Sequence, residues 1–101
     1  MSSEKIIVQV DEDLEGLIPG FLKNRGQDVE KLRAELEQSN FVNVSSIGHS
    51  IKGVGGGYGF DLMSELGAKI EIAGKESNAE VIRENIEKLD NYLKRVEIEY
   101  V

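Results

Sequence analysis

Ile82, Ile86, Leu89, Leu93 and Val96 recur at alternating intervals of four and three, and this spacing limits what the chain can fold into more than any other feature. At about 100° per residue such positions share one stripe of a helix, and that stripe has to be covered by another element. Ser77-Asn78-Ala79-Glu80 has capping-box spacing and marks where this helix begins. The same rule predicts a preceding helix capped by Asp61, with Leu62, Leu66, Ile70 and Ala73 as its apolar face and an end around Gly74-Lys75. Val44, Ile47, Ile51, Val54 and Tyr58 form the stripe of another. That helix must stop near Gly57 to Gly59, because running on would put Phe60 on its outer face and each interior glycine costs about 1 kcal/mol relative to alanine.

The N-terminal part is less regular. Ile6-Ile7-Val8-Gln9-Val10 is β-branched and short, and with no second strand-like run to pair with it reads as an extended arm, residues 1–10, lying across a helical core. Asp11 or Asp13 then caps a helical stretch carrying Leu14, Leu17, Ile18, Phe21 and Leu22, which Pro19 should kink or divide. After a break at Asn24-Arg25-Gly26, Asp28 is expected to cap a helix with Val29, Leu32 and Leu36. The expected fold is all-α: an antiparallel four-helix bundle with a short N-terminal extended arm and a small accessory helix, residues 1–101 forming a single domain.

Composition removes several functions. With no Cys and one His, thiolate nucleophiles, disulfide scaffolds and zinc clusters are not expected. A net charge of -7 disfavours a nucleic acid backbone and an anionic bilayer. Neither a signal peptide nor a membrane span is expected, which points to the cytoplasm.

The one histidine, His49, lies about 180° from the centre of the Val44–Tyr58 stripe and so should face solvent. By residue type alone a lone histidine in a bundle is more often structural, but a structural ring is buried against a partner, and this one is flanked by Gly48, Ser50 and Gly53. Ser45, Lys52, Gly53 and Gly56 are its neighbours on the outer face. From Phe41 to Phe60 there is no Asp or Glu, where composition would place about four, so a cation-flanked imidazole sits in an acid-free stretch suited to holding an anion. A neutral ring nitrogen is a good nucleophile toward an activated phosphoryl group. Lys52 is as readable as a phosphate-neutralising group as it is as a solvated lysine. Gly53 and Gly56 lower the surface so that a partner's active site can approach, whereas Gly55, nearer the apolar stripe, suits close helix packing.

An ordinary Ser-His-acid triad is not expected, because the acid-free stretch supplies no local carboxylate to orient the ring. The glycine run is a poor P-loop, since Lys52 precedes it. Glu30, Glu35, Glu37, Glu84 and Glu87 read as solvated helix faces without a catalytic role.

His49-Ser50-Ile51-Lys52-Gly53, followed by Gly59-Phe60, Leu62 or Met63 and Ile70-Glu71, resembles the motif of histidine-containing phosphotransfer (HPt) domains of bacterial multistep phosphorelays. Gly48 departs from it, standing where members often carry Ala, and the triple glycine is richer than usual, which bears on the rigidity of the helix. The resemblance implies that His49 accepts a phosphoryl group from a response-regulator receiver domain or a hybrid sensor histidine kinase relay and passes it to another receiver aspartate. Lys52 would neutralise its charge and Gly53 would admit the receiver, with Ser45 and Gly56 on the contact face. No resident cofactor is expected, Mg²⁺ coming from the receiver. No kinase nucleotide-binding segment is visible, so the chain reads as a relay intermediate. The alternative is a helical adaptor without chemistry, in which His49 is incidental.

Overall fold

The computed structural model describes residues 4–101. Strand β1 (Ile6–Val10) leads through a 3-10 turn (Glu12–Leu14) into helices α1 (Ile18–Glu37), α2 (Phe41–Gly57), α3 (Asp61–Lys75) and α4 (Ala79–Arg95), and strand β2 (Val96–Tyr100) follows α4 directly. Each helix packs on the next and α1 packs on α4, so the four close around one core. Phe21, Leu32, Val44, Ile51, Met63, Ile70, Ile82, Ile86 and Leu89 are buried there, together with Phe60 from the α2–α3 connection.

The helix boundaries follow local chemistry. α2 stops at Gly57 as its glycines require, and Gly59 turns the chain with φ +84°, a left-handed conformation that favours glycine. α4 is capped by Asn78, whose side chain accepts from the Val81 amide, so the cap is Asn78 and not Ser77. At α3 the expected Asp61 cap is replaced: Phe60 holds the cap position without a side-chain bond, and Asp61 is the first helical residue, where its charge faces the helix N-terminus. Leu62, expected on the apolar face of α3, is exposed, and Met63 takes the core position.

The largest departure within the helices is α1. Instead of two short helices it is one helix of 20 residues. Pro19 lies in its first turn, where the missing amide has no helical partner to lose. Phe21, Val29 and Leu32 are buried on one continuous stripe, and burying each such side chain stabilises by about 1.5–3 kcal/mol against the ~1 kcal/mol cost of Gly26. Asp28 does not cap a helix; its carboxylate accepts from Arg25 Nε at 2.8 Å, and the Arg25 guanidinium lies 5.2 Å above the Phe21 ring. The accessory helix is the single 3-10 turn, with Asp11 accepting from the Asp13 amide.

The N-terminal extended segment is present, and it has a partner. β1 pairs in parallel with β2, Ile6 opposite Val96 through Val10 opposite Tyr100. Val96, expected as the last apolar residue of the final helix, opens the strand instead. Val96, Ile98 and Tyr100 lean on the helical core while Glu97 and Glu99 face out, and Gln9 donates to Glu99 across the outer face at 2.9 Å. Of the arm expected over residues 1–10, residues 1–3 lie outside the described part. Among the described residues no helix is long and apolar enough to cross a membrane.

Candidate functional site

α2 and α3 approach backbone to backbone because glycines meet at their crossing. A Cβ on Gly48 would lie 2.7 Å from the Glu71 amide nitrogen and 2.8 Å from the Gly67 carbonyl oxygen. On Gly67 it would lie 2.5 Å from the Lys52 nitrogen, on Gly55 3.0 Å from the Ser64 nitrogen, and on Gly74 2.8 Å from the Ser45 nitrogen. Gly48 therefore marks tight packing, not a loosened helix. Gly55 takes the close-packing role expected of it.

This approach sets Glu71 beside His49. The imidazole side chain is 70% exposed, on the outer face as its position opposite the stripe requires, and its Nδ1 is 3.0 Å from Glu71 Oε2. The Glu71 side chain is only 14% exposed, with Lys75 Nζ 3.4 Å from Oε2 and Lys52 Nζ 4.0 Å from Oε1. Burial works to raise the Glu71 pKa, but the hydrogen bond and charge of His49, with Lys75, outweigh it and hold the carboxyl below its ordinary value. An ionised carboxylate can only accept a hydrogen bond, so when the ring is neutral Nδ1 carries its one proton and Nε2 presents its lone pair to solvent. The orienting carboxylate that the acid-free stretch lacks is thus supplied from the neighbouring helix.

Over residues 16–99 the sequence matches the Hpt domain family. The chain belongs to that family. No curated protein and no solved structure matches it. Hpt domains carry phosphohistidine as relay intermediates in two-component phosphorelays and are not themselves kinases.

In this Hpt domain the expected site residues divide. His49 and Lys52 stand together around Glu71. Gly53 is exposed with nothing within 4 Å of a Cβ, and Gly56 meets only the Ser64 side chain, at 3.4 Å, so the surface past His49 is shallow. Ser64 Oγ also donates to the Lys52 carbonyl at 2.9 Å, bracing the glycine-rich end of α2. Ser45 is half-buried at the Gly74 crossing and borders a hollow of about 310 Å³ with Val42, Lys75 and Ser77, on the N-terminal side of His49 along α2, opposite to Gly53. Lys75 went unsingled in the sequence, and Glu71 appeared there only as a motif residue. The equal seven-residue intervals Gly48–Gly55 and Gly67–Gly74 carry the signal that aligns the two helices and so brings these side chains in. Glu87 is drawn into an ion pair with Arg33 at 2.9 Å, on the far side of the bundle from this site.

Proposed function

We propose that this Hpt domain relays a phosphoryl group between receiver-domain aspartates, with Nε2 of His49 as the acceptor. The observation that carries this reading is the 3.0 Å contact from Nδ1 to Glu71 on a ring that is otherwise open to solvent. It holds the proton on the inner nitrogen and points the nucleophile outward, which is the positioning that phosphoryl transfer demands. Nε2 donates its lone pair to phosphorus as the aspartyl oxygen leaves with the other bonding pair; return to a second aspartate reverses the step. Lys52 offsets the charge of the incoming group. Gly53 and Gly56 leave room for the receiver, Ser45 stands at the margin of the contact, and Mg²⁺ with its acidic pocket belongs to the receiver. A helix surface without Asp or Glu of its own, where Lys52 and Lys75 outnumber the one carboxylate of Glu71, suits that pocket electrostatically. Receivers and hybrid sensor kinases of this kind work in the bacterial cytoplasm, which is where we place the chain.

The test is incubation with phosphorylated receiver domains, reading acid-labile, base-stable phosphate on the chain. His49→Gln should abolish acceptance while changing stability by only about 0.5 kcal/mol, as for an exposed residue outside the core. Retained phosphorylation in that variant refutes the assignment.

A further inference from the structure

Lys75 is the last residue of α3, and its Nζ lies 3.4 Å from Glu71 Oε2, the oxygen that also accepts from His49 Nδ1 at 3.0 Å. Lys52 approaches the other oxygen of the same carboxylate at 4.0 Å. One carboxylate therefore serves an imidazole and two ammonium groups, which leaves this spot with a surplus of positive charge in a chain of net charge -7. Lys75 is held on the His49 side because Gly74 is seated against the Ser45 backbone, where a Cβ would be 2.8 Å from the Ser45 nitrogen.

A lysine at a helix C-terminus paired at i,i+4 has an ordinary explanation in the helix dipole and a surface ion pair. That explanation accounts for its place in the sequence but not for its sharing an oxygen with the proposed phosphoacceptor. We propose that Lys75 is a second phosphoryl-binding residue, released from Glu71 to the phosphoryl group when His49 is loaded, with Lys52 gripping from the other side. This rests on the reading of His49 as acceptor. The Lys75 side chain is 68% exposed, so its pair with Glu71 contributes little and is readily given up. A phosphoryl group offers nearly twice the charge and three strong acceptor oxygens, and the exchange runs toward it. Glu71 then keeps its bond to the Nδ1 proton and offsets the cationic ring of the phosphoimidazole.

Loading by phosphoramidate isolates this step from any protein partner. Nε2 donates its lone pair to phosphorus, the P–N bond of the reagent breaks, and ammonia departs with that electron pair while the ring proton stays on Nδ1. The loading rate of the full chain is compared with Lys75→Met, which keeps the apolar stem, and Lys75→Arg, which keeps the charge. Lys75→Met should load about tenfold more slowly at low salt, from the loss of one charge near a dianion. Lys75→Arg should stay within about twofold of the wild type. The Met defect should shrink as the screening length falls from about 30 Å at 0.01 M salt to about 3 Å at 1 M. Circular dichroism and thermal melts verify that both variants remain folded. A folded Lys75→Met that loads at the wild-type rate, or whose defect ignores salt, overturns the proposal and leaves His49 untouched. A wild-type chain that takes no phosphoryl group on His49 overturns the acceptor reading itself, and Lys75 with it.

Discussion

Gly48→Ala sets two opposed effects against each other. In an open helix interior, glycine to alanine stabilises by about 1 kcal/mol, and Gly53→Ala, with nothing within 4 Å of the new methyl, should show that gain in full. At Gly48 the methyl would stand 2.7 Å from the Glu71 nitrogen and 2.8 Å from the Gly67 oxygen, backbone atoms that no rotamer change can move. Relief to an ordinary contact of 3.4 Å requires α2 and α3 to part locally by about 0.7 Å. Overpacking of this kind costs about 1–3 kcal/mol, and contact with backbone on two sides belongs at the upper end. After the propensity gain, the net loss is about 1–2 kcal/mol. For a domain of this size that lowers Tm by roughly 5–15 °C. The displaced atom is the amide of Glu71 itself, so the 3.0 Å bond to His49 is carried beyond hydrogen-bonding range and Nδ1 loses its preference for the proton. Thermal and urea melts of the wild type, Gly48→Ala and Gly53→Ala, with imidazole ¹⁵N spectra of each, read both consequences. A Gly48→Ala protein that melts at or above the wild type, or keeps the Nδ1–H tautomer, refutes the argument that glycine contact sets the site.

Other expectations are more local. Gly53→Gln should slow transfer from a phosphorylated receiver by obstructing approach, and Lys52→Ala should slow it through lost charge; only the second defect should weaken with salt, and an unimpeded Gly53→Gln would remove the steric role. Burial pushes the Tyr92 phenol up to about 12, with Asp61 adding to it. A raised folded-state value means that the stabilisation is complete below about pH 10 and is lost as pH rises toward 12, by about 3 kcal/mol. The difference in urea stability between wild type and Tyr92→Phe across that window measures it, and a difference independent of pH would show the phenol to be solvated. Asn85 is buried and donates to the Val81 carbonyl at 2.9 Å while its Oδ1 has no partner among the described residues, so Asn85→Leu should hold or raise Tm; a fall of several degrees would show that oxygen to be satisfied.

What could be read in advance depended on whether its cause was local. The exposure of His49 follows from Val44 and Ile51 on the opposite side of one helix, and the end of α2 from its own glycines. α1 escaped because Asn24-Arg25-Gly26 looks like a break until Phe21 and Val29 are both seen to be buried, and tertiary burial overrides local propensity. Pro19 misled because its effect depends on its distance from the helix start, which the apolar pattern leaves uncertain by a turn. β2 was hidden by continuity: Val96 extends the helical spacing of α4, while the two-residue alternation of Val96, Ile98 and Tyr100 is too short to compete with it. The Glu71 contact needed the register of two helices, which lies in the paired glycines and in no single segment.

The β1–β2 ladder joins residues some 90 positions apart in a molecule whose consecutive helices meet across three-residue connections and whose α1 and α4 meet across a shorter separation than the strands, as Arg33 does with Glu87. Helices and short-range pairs form quickly, whereas contacts of long sequence separation wait until the intervening chain is ordered. Sheet closure should therefore come last in folding and open first in native-state hydrogen exchange, as a unit of its own. The ladder is a clasp fastened on a finished bundle, and the amides of Val8 and Ile98 should exchange through openings that leave the α2–α3 crossing, and with it the ring of His49, in place.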